Sequence, residues 1–101
     1  MINIKNKYTL YIGLNDRDTH INLDIEKSIE FINNILKCFK YTYFIAKGKS
    51  SNLENTLIYV LFEIDDYQLK DIIDKIFIEL NQDEIIVESK QVDCEIIKNK
   101  L

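Results

Sequence analysis

Apolar and polar side chains alternate from Tyr8 to Leu14: Tyr8, Leu10, Ile12 and Leu14 fall on one side, Thr9, Tyr11 and Gly13 on the other. A period of two is that of a β-strand. The pattern breaks at Asn15-Asp16-Arg17-Asp18-Thr19-His20, the most polar and turn-competent run in the chain. The period then lengthens. Ile25, Ile29, Ile32, Ile35, Leu36 and Phe39 share one helical stripe, which predicts a helix over 24–39 capped by Asn22 or Asp24. Alternation returns over 41–48, followed by the turn residues Lys47-Gly48-Lys49-Ser50-Ser51-Asn52. A third strand over 56–64 has Ile58, Val60, Phe62 and Ile64 on one side, and Leu57, Tyr59, Leu61 and Glu63 on the other. A second helix over 66–80 follows from Leu69, Ile72, Ile73, Ile76, Phe77 and Leu80, with Asp65 or Asp66 as cap and Asn81 as left-handed stop. Residues 85–97 read as one bulged strand or as two short ones around Ser89-Lys90-Gln91. Residues 1–6 and 98–101 are expected to fray.

The element order β-α-β-β-α-β predicts a single α+β domain over 1–101 of the ferredoxin-like kind. Right-handed crossovers then put the first and third strands at the centre of an antiparallel sheet, with both helices on one face. Such a sheet gathers loop 15–20, turn 48–55 and loop 81–84 at one edge. The residues collected there as candidates for binding are Asn15, Asp16, Arg17, Asp18, Thr19, His20, Gly48, Lys49, Glu54, Asn55 and Gln82. Two readings stay open. Asn, Asp and Thr favour capping and turn-closing bonds; loops on a rigid sheet also carry recognition sites.

The face without helices is expected to carry Tyr11, Leu57, Tyr59 and Leu61, an apolar surface that implies a partner. A homodimer or higher oligomer is the simplest occupant. An aromatic face that stacks single-stranded RNA is the sharper alternative. The net charge of −4 and the absence of a basic-aromatic strand motif argue against nucleic acid.

Composition narrows the chemistry. Apolar residues make up 47% and charged residues 30%, which suits a globular domain, and with no proline and two glycines nothing resembles a linker. Cys38 and Cys94 have no metal-binding spacing, and no metal or cofactor is expected. The first residues lack the apolar run of a leader and no segment approaches membrane-spanning length, so the chain reads as cytoplasmic. Catalysis would need His20 with Asp16, Asp18 or Glu54, as in a small hydrolase or isomerase. There is no nucleophile elbow, phosphate loop or zinc motif to support it.

The run Tyr-Thr-Leu-Tyr-Ile-Gly-Leu-Asn-Asp-x-Asp-Thr from Tyr8 to Thr19 resembles the start of small phage and prophage proteins of low-GC Gram-positive bacteria, related to the family called domain of unknown function 3574. The likeness continues at Tyr41-Thr42, Ala46-Lys47-Gly48, Glu54-Asn55-Thr56-Leu57 and Asn81-Gln82-Asp83-Glu84-Ile85. The turn at 49–53 is shorter than in relatives. The resemblance implies no enzyme chemistry. It implicates Gly13, Asn15, Asp16, Asp18, Thr19, Gly48, Glu54, Asn55 and Gln82, and it implies a non-catalytic accessory or counter-defence factor that sequesters a small ligand or a host protein.

Overall fold

A computed structural model describes residues 2–37, 43–49, 55–62, 64–95 and 97–100. Of the candidate residues, Glu54 lies outside them, as do Cys38 and Phe39. The elements run β1 (Ile2–Gly13), α1 (Ile25–Leu36), β2 (Tyr43–Lys49), β3 (Asn55–Phe62), α2 (Asp66–Leu80) and β4 (Ile86–Glu95). They form an α+β domain whose four-stranded sheet has the order β2-β3-β1-β4, every neighbouring pair antiparallel.

Helix termini follow the local chemistry. The Asp24 carboxylate accepts from the Lys27 N–H at 2.8 Å and caps α1, while the Ser28 hydroxyl donates to the Asp24 carbonyl at 2.7 Å. A reciprocal capping box opens α2: Asp65 accepts from the Gln68 N–H at 2.8 Å, and the Gln68 side chain accepts from the Asp65 N–H at 3.2 Å. Asn81 ends α2 at φ 45°, ψ 56°, the left-handed stop its type favours.

One core joins both helices to one sheet face. Tyr8, Leu10, Ile12 and Leu14 meet Leu57, Tyr59 and Leu61, with Ile32 and Leu36 from α1 and Leu69, Ile72, Ile76 and Leu80 from α2. The Tyr59 hydroxyl donates to Asn33 Oδ1 at 3.2 Å, and the Tyr8 hydroxyl donates to the Asp66 carboxylate, so each buried phenol is tied to a helix.

This overturns the expected open face. Leu57, Tyr59 and Leu61 are in the core, with relative exposures of 1%, 0% and 0%. Register gives the reason: Ile12 pairs with Leu57, Leu10 with Tyr59 and Tyr8 with Leu61, and directly opposed residues share a face. Of the four residues expected on the outer face, Tyr11 alone sits there, opposite Ile58. The outer face of β3 is Ile58, Val60 and Phe62, all part-buried.

Two more expectations are corrected. Residues 2–6 are not frayed: they pair with Gln91 to Glu95 in β4. Nor is β4 bulged or split, since it pairs with β1 without interruption from Ile86 opposite Tyr11 to Glu95 opposite Ile2. Hydrogen bonding to a continuous neighbour overrides the polar interruption at Ser89-Lys90-Gln91, which alone resembled a break. Because β3 reaches only to Phe62 opposite Lys7, the ends of β1 and β4 extend past it as a two-stranded arm. The molecule is accordingly long, 53 × 29 × 21 Å. No helix among the described residues is long and apolar enough to cross a membrane.

Candidate functional site

Loop 15–22 closes on itself before it meets anything else. The Asp16 N–H donates to the Ile21 carbonyl at 2.9 Å, the His20 N–H donates to the Asp16 carbonyl at 2.8 Å, and Asn15 bridges to Asn22. Within that ring Asp16 acts as a turn-forming carboxylate: Oδ1 accepts from the Asp18 and Thr19 N–H groups at 2.9 and 3.0 Å. His20 leaves the turn at φ 59°, the left-handed region. The Thr19 hydroxyl accepts from the Ile21 N–H at 3.3 Å.

The end of α2 then fastens the loop from below. Asn81 Nδ2 donates to Asp16 Oδ2 and to Asp18 Oδ2, both at 3.0 Å, and the Asn81 carbonyl accepts from the Arg17 N–H at 3.0 Å. Gln82 is buried, and its Nε2 donates to the Asn15 and Leu80 carbonyls at 2.9 Å each. The Gln82 amide satisfies carbonyls that a helix end and a loop otherwise leave orphaned, while the Asn81 amide serves the two loop carboxylates. The Leu14 N–H donates to the Asn55 carbonyl at 2.9 Å, bringing the start of β3 to the same place. Gly48 and Lys49 of β2 are one strand further out, paired with Thr56 and Asn55.

The candidates therefore divide by what their side chains do. Asp16 and Gln82 are spent on internal bonds, while Arg17, Asp18, Thr19 and His20 are exposed. Arg17 Nε is 3.7 Å from both Asp18 Oδ1 and Asp83 Oδ1, so the loop's cation sits between two carboxylates. Such exposed pairs contribute little to stability and yield readily to a competing ligand. Loop 81–84 was expected at this edge, with Asn81 and Gln82 gathered there, and the structure brings both to the loop. Asp83 was not named as a binding residue; its only signal was its place in the run Asn81-Gln82-Asp83-Glu84-Ile85.

Electrostatics separates Asp16 further. The hydrogen bond from Asn81, then those from the Thr19 and Asp18 N–H groups, hold its carboxyl down at about 2. A carboxylate so firmly ionised is a weak base and holds no proton to donate near neutral pH. Among the described residues His20 makes no ion pair with a carboxylate, and no group of three or more His, Cys, Asp and Glu side chains is arranged to hold a metal.

No family model and no curated protein matches this chain. Among solved structures it is similar to a phage SAM lyase in the apo state, at 13% identity and TM-score 0.59, over 92% of each chain. It is also similar to a phage SAM lyase in complex with S-methyl-5′-thioadenosine, at 12% identity and TM-score 0.55, over 93% of each chain. A third is CPII from Thiomonas intermedia K12, a nitrogen regulatory PII-like protein bound to ADP, AMP and bicarbonate. There the identity is 12% and the TM-score 0.51, over 97% of this chain and 100% of that one. At such identities the likeness speaks to the fold.

Proposed function

We propose that this chain is a non-catalytic, cytoplasmic ligand-binding protein on a ferredoxin-like scaffold. It takes a small molecule at loop 15–20 and acts by sequestration, in the manner of the phage accessory factors its sequence resembles. The observation that carries this reading is the division of labour in the loop. Asp16, Asn81 and Gln82 build a base that also holds one Asp18 oxygen, and Arg17, Asp18, Thr19 and His20 lie exposed on it. Preorganised, exposed polar groups suit recognition. An acid–base mechanism would need Asp16 or its neighbours free to exchange protons with His20, and Asp16 is committed elsewhere.

The fold likeness selects the probes. Two similar structures are described with S-methyl-5′-thioadenosine and with ADP and AMP, so the ligand class to examine first is the adenosine compound. Calorimetry with S-adenosylmethionine, S-methyl-5′-thioadenosine, AMP and ADP should show binding to the intact chain. Arg17→Ala should weaken an anionic ligand, and Asp18→Asn with Asp83→Asn should tighten it by releasing the guanidinium. Product formation from S-adenosylmethionine in the same cell would overturn the non-catalytic reading. Heats indifferent to both variants would move the site away from this loop.

A further inference from the structure

β4 is the last strand in the sheet, and among the described residues no strand lies beyond it. It presents ten residues, Ile86–Glu95, along an open backbone edge. Such an edge is a template for another strand, and natural proteins blunt it with proline, bulges or charged side chains. β4 has neither of the first two. The chain contains no proline, and the strand runs beside β1 without a bulge. Its charges are of both signs: Glu88 and Lys90 lie on the face away from the helices, 3.8 Å apart.

We infer that β4 is an interface for a second copy of this chain, pairing antiparallel with its own equivalent about Ser89. The sequence Ile86-Val87-Glu88-Ser89-Lys90-Gln91-Val92 is complementary to itself when reversed. With Ser89 on the two-fold axis, Glu88 faces Lys90 of the second copy and Lys90 faces its Glu88. Ile86 meets Val92, and Val87 meets Gln91. Opposite charges and paired aliphatics directly across an antiparallel ladder are the stabilising combinations. Moving the axis by one residue sets Glu88 against Glu88 or Lys90 against Lys90. The charges thus select one register as well as one partner.

Apolar exposure points to the same span. Ile86 is 64% exposed and Val87 39%, and they lie on opposite faces of the strand. An isologous pair covers both, and it makes one sheet run through two copies. This inference stands apart from the ligand reading, because loop 15–20 takes no part in it.

The test is self-association of the intact chain, followed by sedimentation and light scattering. Wild type should be a dimer at high micromolar concentration. Lys90→Glu or Glu88→Lys turns two attractive pairs into two repulsive ones and should raise the dimer dissociation constant at least about tenfold. The double variant Glu88→Lys/Lys90→Glu should restore it. In a Cys38→Ser/Cys94→Ser background, Ser89→Cys should oxidise to a covalent dimer, since directly opposed residues lie within disulfide reach. Val87→Cys, which faces Gln91, should not. Circular dichroism of each variant checks that the fold survives. A monomeric wild type, single variants that associate like wild type, a double variant that fails to recover, or a Ser89→Cys chain that stays uncrosslinked would each overturn the inference.

Discussion

Tyr59 and Val60 are neighbours in sequence and lie on opposite faces of the sheet. Tyr59 is sealed beneath α1, with its hydroxyl bonded to Asn33. Val60 lies opposite Thr9 on the face that no helix covers. Both faces of β3 are apolar, so hydrophobicity alone does not say which one the helices take. The choice comes from β1, whose Thr9 and Gly13 make one face poorer in apolar surface, and from the register that ties β3 to it. A strand apolar on both sides borrows its orientation from its neighbour.

The largest expected effect tests this contrast. Tyr59→Ala should cost about 3–5 kcal/mol of stability by opening a cavity and orphaning Asn33. Val60→Ala should cost no more than about 1 kcal/mol, because its side chain is part-exposed. Urea denaturation with unchanged m-values would report both. Equal losses would mean that the outer face is buried as deeply as the core, in an assembly that holds in solution.

How much was legible follows from the same logic. Helix α2 was readable to within a residue, because its stripe, its cap at Asp65 or Asp66 and its Asn81 stop are all local signals, and the cap is Asp65. The adjacency of β1 and β3 followed from element order. What escaped was non-local. Residues 2–6 become strand only because Gln91–Glu95 lies beside them, and Ser89-Lys90-Gln91 stays extended for the same reason. In the polar loop, residue types marked the place but not the roles. Nothing in Asp16-Arg17-Asp18 foretells that Asn81 of α2 donates to both carboxylates, or that Asp16 alone also closes the turn through the Asp18 and Thr19 N–H groups.

The next contrast lies within that loop. Gln82→Ala removes two bonds to the Asn15 and Leu80 carbonyls in a buried site and should cost about 1–3 kcal/mol. Asp18→Ala, on the exposed rim, gives up one solvent-exposed bond from Asn81 and should cost no more than about 1 kcal/mol. Thermal unfolding of the pair would break the distinction between base and rim if the two losses matched.

Acid titration sharpens it further. The folded protein holds the Asp16 carboxyl at about 2, below the value of 3.8 it takes when free. A depressed folded pKa means that the unfolded chain binds the proton first. The stabilisation from Asp16 is therefore complete above 3.8 and lost as the pH falls from there through about 2. Asp16→Asn should lower stability at neutral pH and flatten the dependence across that acid window. A variant whose acid limb keeps the wild-type slope would assign the titration to another carboxylate.

The smallest expected effect is the most discriminating. His20 holds φ 59°, where a side chain strains the backbone and glycine does not. Its N–H bond to the Asp16 carbonyl belongs to the backbone and survives any substitution except proline. His20→Gly should therefore leave the turn intact. Relief of strain is opposed by the greater freedom of glycine in the unfolded chain, so the net change should stay within about 1 kcal/mol. A loop shaped only by its own closure would tolerate that exchange with nothing else altered. If the exposed ring recognises a ligand, the same variant keeps its unfolding temperature and loses affinity. Measuring both on one preparation separates the two roles of this loop at a single residue.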